Sequence, residues 1–177
     1  MITNKNFEWF LVRDNFLSSQ ECDDEIKFID SNVKKDNFVS GDMHDCKNVD
    51  IENEKLLDRL WKVVKLSNTL VYKFDISGIQ GSCGKLYSVD TFTADDNYHT
   101  DFAAGDGSVV NSCTKLSCLI FLNDDFEDGG LQIWNDKIDA KKGRLVIFPS
   151  FAAHKVLQFS EKDRYTLITF IGGNTFK

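Results

Sequence analysis

Lys115-Leu116-Ser117-Cys118-Leu119-Ile120-Phe121-Leu122 is apolar on both faces at its centre. A strand with one face in water alternates apolar and polar side chains, whereas a strand covered on both sides does not. The run is therefore read as a central strand with layers packed on each side. Outward from it, β signals continue in both directions. Strands are expected at Leu70–Ile76 and Lys85–Thr91 before it, and at Leu131–Trp134, Arg144–Phe148, Lys155–Phe159 and Tyr165–Ile171 after it. Turn-forming clusters separate several of these: Asp95-Asp96-Asn97, Gly105-Asp106-Gly107 and Asp128-Gly129-Gly130. Many short strands with tight turns point to a sandwich or barrel.

The N-terminal part reads differently. Ser18 and Glu21 have the spacing of a capping box, and Cys22, Ile26, Ile29 and Val33 follow on one helical face. A second helix is expected from about Glu52 to Ser67, with Leu56, Leu57, Leu60, Val63 and Val64 inward. Residues 36–50 are polar and contain glycine, which suits a loop. The chain is thus mainly β (α+β) and a single domain over 1–177: helical support over about 1–69 and a β core over about 70–177. No internal repeat interrupts it.

Apolar residues make up 42% and charged residues 28% of the 177, a globular balance. Net charge is -7, and no stripe of basic and aromatic residues is visible, so nucleic acid is not an expected partner. Five cysteines at irregular spacing include no CxxC pair, which suits reduced thiols and a cytoplasmic setting. No apolar run has signal-peptide or bilayer-spanning length, so no membrane segment is expected.

Chemistry concentrates in four residues: His99 and Asp101 in Tyr98-His99-Thr100-Asp101, His154 after Phe148-Pro149, and Arg164 in Asp163-Arg164-Tyr165-Thr166. In a strand, residues i and i+2 share a face, so His99 and Asp101 can offer an imidazole and a carboxylate to one ion. His154, from a separate strand, would complete a two-histidine, one-carboxylate set. Such a set holds non-heme Fe(II) with coordination positions left open. Oxygen and nitrogen donors without thiolate favour it over structural zinc. Arg164 and Thr166 share a face of the last strand, where a guanidinium can grip a carboxylate through paired hydrogen bonds. Tyr87 can add a phenol hydrogen bond.

Each residue taken alone has a plainer reading. His-x-Asp is commonly a surface turn, His154 a boundary histidine, Tyr87 a core aromatic, and Arg164 the partner of Glu161 or Asp163 in a surface ion pair. The combination outweighs them. His44, in the polar loop, is read as solvated.

These motifs resemble the Fe(II)/2-oxoglutarate dioxygenases, in their prolyl-4-hydroxylase-like branch. The matching text is Lys85-Leu86-Tyr87, Tyr98-His99-Thr100-Asp101, the run Lys115–Asn123, Phe126-Glu127-Asp128-Gly129-Gly130-Leu131, Lys142–Pro149 before His154, and Arg164-Tyr165-Thr166-Leu167. The resemblance covers about residues 84–173. It implies a double-stranded β-helix (jelly-roll) core with flanking N-terminal helices. It implies His99, Asp101 and His154 as catalytic iron ligands, and Arg164, with Thr166 and Tyr87, as the seat of the distal carboxylate of 2-oxoglutarate. Fe(II), 2-oxoglutarate and O2 are the implied cofactor and co-substrates, with ascorbate as an accessory reductant. The implied activity is hydroxylation of a C–H bond in a peptidyl proline or small amino-acid-like substrate, with release of succinate and CO2. Related halogenases lack the carboxylate that Asp101 supplies. Two other readings stay open: a jelly-roll module that binds without turnover, and a cupin-like metal enzyme that does not use 2-oxoglutarate. Arg164 discriminates between them. Loops at 36–50 and 92–113 are expected to border the site, the second carrying the small residues Ala103–Ser108 suited to a lid.

Overall fold

The doubly apolar run lies in the middle of the larger sheet. A computed structural model describes residues 9–33, 46–94, 98–102 and 112–175. In chain order the elements are β1 (Leu11–Arg13), α1 (Ser19–Asn32), β2 (Cys46–Asp50), α2 (Glu54–Ser67), β3 (Ile76–Tyr87), β4 (Ser112–Phe121), β5 (Glu127–Asp128), β6 (Leu131–Ile133), β7 (Asp136–Ile138), β8 (Leu145–Pro149), β9 (His154–Val156), β10 (Phe159–Ser160) and β11 (Arg164–Asn174). Six strands form an antiparallel sheet in the order β1-β8-β4-β11-β3-β2. A smaller sheet, β7-β6-β9, covers one side of it, and β5 pairs with β10. The architecture is the expected jelly roll.

Strand alternation explains why β4 is apolar throughout. Leu116, Cys118, Ile120 and Leu122 pack with Leu145, Ile147, Leu167 and Ile171 against the helices, meeting Cys22 and Ile29 of α1 and Leu56, Leu60 and Val64 of α2. Leu119 and Phe121 point the other way, with Val146 and Phe148, onto Leu131, Ile133 and Ile138 of the smaller sheet. One strand therefore serves two cores. A third cluster, Cys46, Tyr87, Phe92, Phe126, Val156 and Phe159, closes one end, with Phe92 and Phe159 stacked at 4.9 Å.

The helices follow the periodicity with small departures. Ser18 and Glu21 form the reciprocal capping box. The buried face of α1 is Cys22, Glu25 and Ile29, with Ile26 only half-buried. The Glu25 carboxylate is satisfied by the Asn53 side-chain amide at 2.7 Å. In α2, Leu56, Leu60 and Val64 are buried and Leu57 and Val63 half-buried.

Three sequence expectations are corrected. Leu70–Ile76 is not a strand: Asn68–Tyr72 is a π-helical turn continuing α2. Leu60, Val64, Asn68 and Tyr72, four apart, keep facing the core, and the Tyr72 hydroxyl donates to the Ile147 carbonyl at 2.7 Å. That contact overrides the β propensity of Leu70-Val71-Tyr72. The Asn68 side chain then caps the turn through both the N–H and the carbonyl of Phe74. Next, Lys85–Thr91 is not a separate strand, because β3 runs unbroken along β11 from Ile76 to Tyr87 and turns at Ser88. Finally, residues 46–50 of the expected loop pair with β3 as β2. The rest of that loop, with His44, and the turns at 95–97 and 105–107 lie outside the described residues. The strands β1, β5 and β7 have two or three residues each, too few to show a period.

Gly143 joins the N-terminal segment to the sheet. Its N–H donates to the Phe121 carbonyl, and its carbonyl accepts from Phe16 and Leu17. Its φ is +77°, and a Cβ there would stand 2.2 Å from the Leu17 carbonyl oxygen. Gly143→Ala is expected to cost about 2–4 kcal/mol of stability through strain and backbone displacement. Urea unfolding with an unchanged midpoint would refute this.

Candidate metal centre and its cavity

His99 and His154 face each other across an isolated antiparallel bridge, exchanging backbone hydrogen bonds of 3.0 and 2.9 Å. Two residues on, the Asp101 N–H donates to the Ser150 carbonyl at 2.9 Å. Segment 99–101 is thus held as a short added strand beside the start of β9. Alternation puts the side chains of His99 and Asp101 on the side occupied by His154. Their ligand atoms all lie within 4.8 Å of one another. His99 Nε2 is 3.8 Å from Asp101 Oδ1, and His154 Nε2 is 3.4 Å from Asp101 Oδ2. Both spacings exceed an ordinary hydrogen bond. Both fall under the ~4.4 Å separation allowed to two donors bonded to one ion at about 2.2 Å each.

The surroundings orient these groups. His154 Nδ1 donates to the Ala152 carbonyl at 2.9 Å, which leaves the Nε2 lone pair facing Asp101 and His99. The Ser117 hydroxyl donates to Asp101 Oδ2 at 2.7 Å. Phe148 meets the His154 ring edge-on at 4.8 Å. Sequence reading missed Ser117. Its signal was there, as the one hydroxyl in the run Lys115–Leu122.

The three side chains open into a cavity of about 630 Å³, whose wall includes Asn48, Lys85, Tyr87 and Phe170 of the larger sheet. That volume lies within the range of small-molecule sites. Across β3 and β11, Tyr87 pairs with Arg164 and Lys85 with Thr166, so all four share the inner face. Arg164 is fully buried, contrary to a surface ion pair. The Asp163 carboxylate instead accepts from the Val89 N–H. The guanidinium lies over the rings of Tyr87 at 5.0 Å and Phe121 at 5.4 Å. Its Nε, Nη1 and Nη2, and the Thr166 hydroxyl, find no hydrogen bond among the described residues. Burial pulls the Arg164 guanidinium below its ordinary pKa, and the Tyr87 phenol partly offsets this. Burial likewise pushes the Tyr87 phenol up. A buried cation with unfilled donors is costly, and an arriving carboxylate removes that cost. The Ala103–Ser108 segment lies outside the described residues.

Residues 89–172 match the model of the 2OG-Fe(II) oxygenase superfamily. The matched stretch is 84 of the 177 residues and spans the His99, Asp101, His154 and Arg164 positions. No curated protein sequence matches the chain. Among solved structures, the viral collagen prolyl hydroxylase of Paramecium Bursaria Chlorella virus-1, in its 2OG complex, superposes with a TM-score of 0.71 at 15% identity. The match covers 94% of this chain and 97% of that one. A Pseudomonas putida prolyl-4-hydroxylase gives 0.68 at 15% identity over 92% and 91%. At such identity the likeness is one of fold. The superfamily implies Fe(II) and 2-oxoglutarate. The residues present fit both: a His-Asp-His donor set presented to one point, and orphaned buried donors on Arg164 and Thr166.

Ser117→Ala removes the group that orients Asp101. It is expected to weaken Mn(II) or Fe(II) affinity by roughly 10–100-fold without unfolding the chain. Metal titration showing unchanged affinity would exclude the orienting role.

Proposed function

We propose that this protein is an Fe(II)- and 2-oxoglutarate-dependent hydroxylase. In this reading His99, Asp101 and His154 hold the iron, and Arg164 seats the distal carboxylate of 2-oxoglutarate, helped by Thr166 and Tyr87. The observation that carries it is Arg164: a fully buried guanidinium with three unfilled nitrogens, on the inner sheet face that the triad also borders. When bound, iron and 2-oxoglutarate supply the oxidising chemistry, consuming O2 and releasing succinate and CO2.

The protein's own part is binding, orientation and exclusion of water. His154 keeps its metal-facing nitrogen unprotonated by spending its one N–H on Ala152. Ser117 holds Asp101 by donating to its Oδ2, which keeps the carboxylate aimed. Leu119, Leu131, Phe148, Val156 and Ile168 give the cavity an apolar wall, which strengthens each polar contact inside it. Hydroxylation of a peptidyl proline or a small amino-acid-like substrate is supported by the fold shared with prolyl hydroxylases. Five free thiols suit a reducing, cytoplasmic setting in which iron stays ferrous. A cupin-like reading without 2-oxoglutarate leaves the buried Arg164 donors without a task.

The direct test incubates the protein with Fe(II), ascorbate, 2-oxoglutarate and pools of peptides or amino acids. Succinate and a product heavier by one oxygen atom are expected, and His99→Ala should lose both along with metal binding. Succinate formation surviving in His99→Ala would overturn the ligand assignment. Arg164→Met should bind metal normally and lose 2-oxoglutarate affinity by roughly 100-fold, since charge-assisted hydrogen bonds contribute about 1.5–3 kcal/mol each. The same substitution should raise the stability of the ligand-free protein by about 1–4 kcal/mol, because it removes a buried unpaired charge. Calorimetric binding and thermal melts read both effects, and unchanged 2-oxoglutarate affinity would defeat the reading.

A further inference from the structure

The register of the larger sheet sorts the cavity wall into cross-strand rows. Ser117, Phe170 and Gly81 make one row on β4, β11 and β3, and Leu119, Ile168, Cys83 and Asp50 make the next, ending on β2. Ser117 holds Asp101, so the first of these rows is the one beside the metal ligands. Phe170 is half-buried there and lines the cavity. Gly81 has the inward parity of Cys83, Lys85 and Tyr87, and a Cβ built on it would meet nothing within 4 Å. The sheet therefore leaves space next to Phe170. Asp50 lines the same cavity from β2, the edge strand, and is exposed. By ideal sheet spacings its Cα is about 8 Å from that of Gly81 and about 12 Å from that of Phe170. The Asp50 carboxylate has no hydrogen bond or ion pair among the described residues. Lys85, the one lysine among the lining residues, is directed elsewhere: its Nζ stands 4.0 Å from Cys46 Sγ, and Cys46 lies four residues, about 13 Å, along β2 from Asp50.

Charge thus divides the cavity. The buried Arg164 end suits an anion, and the exposed rim carries a carboxylate that suits a cation. Of the two lining carboxylates, Asp101 belongs to the metal set and is held by Ser117, which leaves Asp50 for another occupant. A dianionic co-substrate seated at Arg164 is not drawn to Asp50, whereas an amine is. We propose that Asp50 determines substrate choice: it receives an ammonium group of an amino-acid-like substrate, whose aliphatic part lies on Phe170, in the space left by Gly81, and reaches toward the metal ligands. This rests on the reading of the site given above and narrows it, from a peptidyl proline or amino-acid-like molecule to one with a charged nitrogen several bonds from the carbon to be hydroxylated. The exposure of Asp50 keeps its pull modest, so it acts as a selector among substrates rather than as their main source of affinity.

The experiment is equilibrium binding to the protein loaded with Mn(II) and 2-oxoglutarate, so that no turnover enters the measurement. The probes are the amino acids with each ammonium group free or acetylated, lysine being blocked at either nitrogen, and a capped proline-containing tripeptide as the neutral reference. At least one free amine is expected to bind about tenfold more tightly than its acetylated form. Asp50→Asn should abolish that preference and Asp50→Glu should keep it. Gly81→Val should weaken the preferred amine about tenfold by filling the space next to Phe170. Mn(II) and 2-oxoglutarate affinity should stay within about twofold in all three variants. A preference that survives in Asp50→Asn overturns the proposal. So does a panel in which no free amine is preferred, including one in which only the capped tripeptide binds. Loss of Mn(II) or 2-oxoglutarate affinity in Asp50→Asn overturns it too, since the residue would then serve the fold or the co-substrate. Unchanged amine affinity in Gly81→Val overturns the placement on Phe170. If the unsubstituted protein binds no 2-oxoglutarate, the underlying reading fails and this claim with it. If it binds 2-oxoglutarate and prefers no free amine, only the role of Asp50 fails.

Discussion

The candidate site depends on two backbone hydrogen bonds, those exchanged between His99 and His154. The two histidines lie 55 positions apart in the chain, and no side-chain attraction alone would align two imidazoles that are neutral when they bind metal. The bridge does so by geometry: it fixes the facing of both residues, and a separate bond from the Asp101 N–H to the Ser150 carbonyl ties the segment down two residues on. Once the register is set, alternation places His99 and Asp101 on one side without further adjustment. A slip of one residue would turn both away together.

What stands behind that bridge is a sheet that sorts its residues by parity. On β4, the even-numbered residues Leu116–Leu122 feed the helical core, whereas Ser117, Leu119 and Phe121 face inward. The same parity rule puts Arg164, Thr166 and Ile168 inward on β11 and leaves Leu167 and Ile171 to the helices. Fold and site are in this sense one construction. The apolar contacts that hold α1 and α2 against the sheet also fix which way its polar residues point.

This is why much of the molecule was legible in the sequence. The doubly apolar run announced its central place, the capping box located α1, and the i, i+2 spacing of His99 and Asp101 carried their shared face. The parts that escaped reading depend on contacts between distant residues. Leu70-Val71-Tyr72 has strand-like composition, and only the bond from Tyr72 to Ile147 on β8 makes it a helical turn. The strand Cys46–Asp50 has polar residues where a surface loop would, because Asn48 and Asp50 face a cavity rather than a core. Ser117 was read as part of an apolar strand, when its hydroxyl was the one feature of that strand with a chemical purpose.

Arg164 shows how the demands of folding and of the proposed chemistry diverge. Every apolar residue around it is placed as packing alone would dictate, yet the largest fully buried side chain among the described residues is a cation with unfilled donors. What the fold offers it there is two aromatic faces, those of Tyr87 and Phe121. Burial in an apolar setting makes the guanidinium a poor contributor to stability and, for the same reason, a strong one to anion binding, because little water must be displaced before a carboxylate is gripped. A group that weakens the empty fold and strengthens the filled one links stability to occupancy. Its carboxylate ligand should therefore stabilise this protein as binding linkage requires, with relief of the buried charge entering through a tighter Kd.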